Sequence, residues 1–175
     1  MQGIAVMTVF GTGWALSGVI GVAPGAALQV LGGVVVLVLA ALVFRTALRW
    51  HAHPDPARVR PRPDRPGDPT RTFLLVNVGQ AVLILVAVFG LARLGVPEFI
   101  APAVVVVVGL HFLPLARALA VPLYLWTGLA LLVVGALGAV LAGTGAAVAV
   151  VRAVVGLSAA LVLWSTSLRL ARTVV

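Results

Sequence analysis

The residues with chemistry to offer are few, and they sit in apolar surroundings. The amide and ionisable side chains expected at bilayer depth are Asn77, Gln80, Glu98, His111 and Arg152, each within a stretch otherwise dominated by Ala, Val, Leu and Gly. Such groups are costly inside a membrane and persist where they bind something or join helices. Asn77 stands six residues beyond Arg71, and His111 six residues before Arg117. At 1.5 Å rise per residue, both fall about 9 Å inside the same membrane face. Gln80 lies one turn deeper than Asn77 and within its i, i+3 reach. Thr12 and Trp14, Trp126 and Thr127, and Ser165 and Thr166 are expected in the same layer. Asn77, Gln80, His111, Trp14 and Trp126 therefore form the candidate binding site.

Two readings of that layer compete. One is a small polar cavity for a proton, an ion or a polar group, with His111 as its titratable member. The other is hydrogen bonding between helices. A lone histidine without an acidic partner at its depth makes a poor proton relay, which favours the second. Glu98 follows Pro97, where proline and an acid both suit a helix start, and it pairs with Arg93 across a short turn as an outer-side polar pair. Arg152 is placed to snorkel to the outer headgroups.

Other chemistry is missing from the pattern. With no cysteine there are no disulfides or thiolate ligands, and no His, Asp or Glu cluster has metal-ligand spacing. No nucleophile elbow or phosphate loop is present. His51 and His53 form a His-x-His pair, but beside Pro54-Asp55-Pro56 they read as solvated loop. No catalytic residue, metal or cofactor is expected, and the chain reads as non-enzymatic.

The elements that must carry these residues are membrane spans. Apolar residues make up 62% of the chain, charged residues only 9%, and mean hydropathy is +1.21, which no soluble domain of this size accommodates. Apolar stretches run over about 4–20, 26–44, 72–92, 97–116, 121–142 and 146–168, each long enough to span. With no positive residue before Ile4, the first reads as a retained helix and not as a cleaved leader. The expectation is a single all-α membrane domain, a six-helix bundle.

Between the second and third spans the composition inverts. Residues 45–71 hold seven arginines, three aspartates, two histidines and six prolines. Such a stretch reads as an extended, disordered loop at the membrane surface. Its arginines, Arg45, Arg49, Arg58, Arg60, Arg62, Arg65 and Arg71, suit anionic lipid headgroups better than nucleic acid. Arginines collect on the cytoplasmic side of short loops. Placing this loop inside puts ten arginines inside and leaves only Arg93 and Arg152 outside. Both chain ends are then cytoplasmic. All twelve basic residues are arginine and none is lysine, a usage typical of GC-rich bacterial genomes, so the expected location is a bacterial inner membrane.

The six spans read as three tandem hairpins whose first helices carry Thr12-Gly13-Trp14-Ala15, Val78-Gly79-Gln80-Ala81 and Thr127-Gly128-Leu129-Ala130. Each second helix closes on arginine. Small residues let membrane helices approach. Gly13, Ser17 and Gly21 form one such stripe and Gly135, Ala139 and Gly143 another, for packing inside the bundle or between copies in a homo-oligomer.

The segment Gly109-Leu110-His111-Phe112-Leu113-Pro114-Leu115-Ala116 resembles a signature of small uncharacterised bacterial multi-pass membrane proteins. That resemblance implies that His111 and Pro114 belong to a characteristic element. The paired-helix pattern is also similar to bacterial acid-resistance membrane proteins built from three hairpins. The functional readings are a non-enzymatic membrane protein, a small transporter or channel using the polar layer, and an interaction protein working through the basic loop.

Overall fold

The fold is that of a computed structural model, which describes residues 2–22, 25–52 and 69–173. These form α1 (Gln2–Val22), α2 (Ala26–Ala52), α3 (Pro69–Arg93), α4 (Ile100–Ala118), α5 (Pro122–Gly143) and α6 (Val148–Thr173), with a single 3-10 turn at Pro97–Phe99 before α4. Among the described residues there is no strand, and the six helices are each long and apolar enough to cross a membrane. Leu, Val and Phe side chains crowd the outside, as with Leu31, Leu74, Phe89 and Leu137, where a soluble protein would carry charge. The chain is an all-α, multi-pass membrane protein.

The helices outrun the expected spans at the basic stretch. Residues 45–52 continue α2 and residues 69–71 open α3, so these parts of 45–71 are helical and not extended loop. Charge ends a membrane span, but Arg, Ala and Leu are good helix formers. Ala47 is fully buried in this extension. The remainder of the expected loop, 53–68, lies outside the described residues, and Arg58, Arg60, Arg62 and Arg65 with it.

Contacts divide the chain into two compact units, one of Met1–Pro61 with Gly156–Val175 and one of Arg62–Val155, so α6 is shared between them. In the first unit α1 packs on α2. Ala15, Val36, Ala40, Ala160 and Trp164 form its core, flanked by Trp14, Leu16, Val19 and Val43. The inward face of α1 is Ile4, Met7, Gly11, Ala15 and Gly18, at 3- and 4-residue spacing. Of the expected stripe, Gly13 takes no part in packing inside this unit: it is exposed and a Cβ there would meet nothing, while Ser17 and Gly21 are half-buried. A Cβ on Gly156 would stand 2.7 Å from the Trp14 carbonyl oxygen and 3.0 Å from the Gly18 nitrogen, so α1 and α6 touch backbone to backbone.

In the second unit α4 packs against both α3 and α5. The closest approach is Gly109 on Gly128: a Cβ on either would come within 2.9 or 2.8 Å of the other's carbonyl oxygen. The buried line of α5 is Gly128, Leu131, Gly135, Gly138 and Ala142, whereas Ala139 is half-buried and Gly143 exposed. Gly135 lies on the Pro102 backbone and Gly138 on the Val155 side chain. The tight crossing thus joins helices assigned to different hairpins by the repeat pattern. In α3, no residue with a described side chain is buried.

Candidate functional site

His111 sits on α4 between Gly109 and Phe112, both buried, and three residues before Pro114. Proline has no N–H, so the Leu110 carbonyl loses its helical donor one turn away. The imidazole is half-buried and hydrogen-bonds the backbone of Val76 on α3. Its Nδ1 is buried without a hydrogen-bond partner. Phe112 meets the His111 ring edge-on at 5.6 Å between centroids and meets the Tyr124 ring of α5 at 5.7 Å.

Val76 is the chain neighbour of Asn77, so the expected shared depth of Asn77 and His111 corresponds to a contact between α3 and α4 at that level. Asn77 and Gln80 are half-buried, and Asn77 is engaged in interactions of its own. The other expected members are placed differently. Trp126 is 67% exposed and faces away from the α5 core. Thr127, its neighbour, is buried and donates to the Leu123 carbonyl of its own helix at 2.9 Å. Trp14 belongs to the other unit, against its core. Arg93 closes α3, and Glu98 lies in the 3-10 turn, whose N-cap Val96 makes no side-chain bond.

A second polar cluster, in the first unit, was not anticipated. Thr8 Oγ1 and Ser167 Oγ lie 3.0 Å apart, and each lies within donating distance of the Ile4 carbonyl, at 2.9 and 3.2 Å. Two hydroxyl protons serve three contacts. Either Thr8 donates to Ile4 while Ser167 donates to Thr8, or Ser167 donates to Ile4 while Thr8 donates to Ser167. The Trp164 indole N–H donates to the Thr8 carbonyl at 3.4 Å, which Thr12 Oγ1 also reaches at 2.7 Å. Gly11 admits that indole, since a Cβ there would stand 2.6 Å from its Cδ1. The expected layer named Thr12, Ser165 and Thr166. Ser165 is exposed, Thr166 turns to the Val162 carbonyl of its own helix, and the bonds between helices are made one turn earlier on α1 and one residue later on α6. The Thr-x-x-x-Thr spacing of Thr8 and Thr12 was the available signal.

Among the residues expected at headgroups, Arg45 and Arg49 are exposed on the last turns of α2, and Arg71 lies in the first turn of α3. Among the described residues no three His, Cys, Asp or Glu side chains gather into a metal-binding group. The chain matches no protein-family model, no curated protein and no solved structure.

Proposed function

We propose that this is a non-enzymatic multi-pass protein of the bacterial cytoplasmic membrane, with both chain ends on the cytoplasmic side, whose polar side chains at depth hold its helices together. The carrying observation is the Thr8, Ser167 and Trp164 cluster, in which the two hydroxyls bond to each other and to the Ile4 carbonyl and the indole N–H donates to the Thr8 carbonyl. Groups satisfied in this way bind helices and offer little to a solute. Arginine placement supports the sidedness. In the first unit Arg45, Arg49, Arg169 and Arg172 stand in the last turns of α2 and α6, while the turn joining α1 to α2 carries no charge.

One atom favours a second reading. The unpartnered Nδ1 of His111, one helix away from Asn77, is available to a proton or a small polar solute, as a transporter or channel requires. The full chain reconstituted in liposomes with an internal pH dye separates the two. The helix-bonding reading expects proton flux equal to that of protein-free vesicles, and a His111→Ala variant altered only in thermal stability, by about 1 kcal/mol. Flux above the control that disappears in His111→Ala would establish the transporter reading instead.

A further inference from the structure

The basic end of the first unit is more than a collection of interfacial charges. Arg172 stacks its guanidinium over the Trp50 ring, 3.6 Å from the centroid, and so ties the last turn of α6 to the last turn of α2. Stacking occupies the face of a guanidinium and leaves its N–H donors in the plane, the geometry that receives phosphate oxygens. Arg49 precedes Trp50, Arg45 lies one turn below it, and Arg169 lies one turn below Arg172; all four arginines are exposed. Arg49 and Arg169 also have interactions of their own. His51, next to Trp50, has its Nδ1 buried without a partner. Among the described residues of this unit there is no Asp or Glu to balance the charge.

The apolar surface leading to this end identifies the kind of anion. At helical periodicity Arg45 and Arg49 share a face of α2 with Leu31, Val34, Val38 and Leu42, all about half exposed or more. Arg169 and Arg172 share a face of α6 with Leu161 and Ser165, both exposed. Arg45 and Arg49 therefore cap an outward apolar track on α2 long enough for an acyl chain, beside the shorter α6 face, on which Ser165 lies next to the arginines. Trp50 marks the boundary, where indoles settle between hydrocarbon and headgroup.

We propose that the C-terminal turns of α2 and α6 form a specific site for an anionic phospholipid. Arg172, fixed on Trp50, holds the phosphodiester together with Arg45, Arg49 and Arg169, and the acyl chains lie along the α2 track. The site needs only a lipid surface and is independent of the sidedness and of the role of His111.

Native mass spectrometry of the full chain in detergent tests it, with phosphatidylglycerol, phosphatidylcholine of the same acyl chains, and inorganic phosphate as probes. Phosphatidylglycerol is expected to be retained over phosphatidylcholine. Removing one headgroup-contacting arginine in Arg172→Gln should weaken that retention about fivefold. Trp50→Leu, which removes the stacking platform, should weaken it in the same direction. Arg152→Gln, an exposed arginine of the other unit, should leave it unchanged. Equal retention of the two lipids by the unaltered chain would overturn the site without need of any variant. So would an equal loss in Arg152→Gln, which would make net charge the cause. Displacement of phosphatidylglycerol by inorganic phosphate at comparable concentration would mark a free-anion site and overturn the lipid assignment.

Discussion

Ala120 holds a backbone conformation that suits another residue. α3 and α4 end in the same way: Val96 N–H reaches the Leu91 carbonyl and Gly95 N–H the Ala92 carbonyl, just as Val121 reaches Ala116 and Ala120 reaches Arg117. Each closure places one residue at positive φ, Gly95 at 73° and Ala120 at 51°. Glycine accepts that region freely, whereas an L residue with a Cβ pays about 1–2 kcal/mol. Ala120→Gly is therefore expected to raise thermal stability in detergent by up to about 1 kcal/mol, and an unchanged or lowered midpoint would contradict the strain. The opposite test concerns glycines that need their hydrogen. A methyl on Gly109 meets the Gly128 carbonyl and the Leu132 backbone nitrogen, neither of which can swing aside. Gly109→Ala should cost about 1–3 kcal/mol through the α4–α5 crossing. Gly79→Ala, facing open space, should be neutral or gain up to about 1 kcal/mol of helix propensity. Equal unfolding midpoints for the two variants would mean that the crossing is not as close as described.

At the scale of elements, segment length and composition carried the reading, and helix faces did not. Six apolar stretches and their turns are legible because each falls within the range of lengths that crosses a bilayer and ends at Gly, Pro or Arg. The inward faces are not, because these helices are apolar on nearly every side and lipid rewards the outer face as well as the core. Gly13 and Gly11 are equally small; Leu163 and the indole of Trp164, distant in sequence, lie against Gly11 and not against Gly13. The same blindness put Thr12 and Ser165 where Thr8 and Ser167 do the bonding. It also let Trp126 be read as an inward residue when its side of α5 is outward. The basic stretch differs: charge marks the end of a membrane span and not the end of α2, because helix formation and membrane crossing are separate conditions, and Ala47 is fully buried beyond Arg45. Ala47→Leu is expected to overpack this extension and cost about 1–3 kcal/mol, against no more than about 0.5 kcal/mol for exposed Arg45→Ala. Thermal unfolding of the two variants decides it, since a mere loop at 45–52 would tolerate both.

For the whole molecule, the distribution of arginine makes a claim that the absence of cysteine renders easy to test. In the second unit α3 and α4 run antiparallel, with His111 near the end of α4 meeting Val76 near the start of α3, so Arg71 and Arg117 share one end while Arg93 marks the other. Gly138 on Val155 brings the end of α5 beside the start of α6, which gives Arg152 and the turn at Thr144 a common end. In the first unit Ile4 of α1 meets Ser167 of α6, and Trp50 of α2 meets Arg172 of α6. The start of α1 and the last turns of α2 and α6 therefore lie at one end of that unit, together with its four arginines. If the arginine-rich ends are cytoplasmic, a single cysteine at Gly95 or Thr144 should react with a membrane-impermeant thiol reagent in intact cells. A cysteine at Ala118 or Thr173 should react only after the membrane is opened. The natural chain has no cysteine, so each variant reports one position without background. The reverse labelling pattern would place the arginines outside and remove the sidedness proposed here. Labelling of Gly95→Cys and Ala118→Cys from the same side would mean that α4 does not cross, and the six-span reading would fall with it.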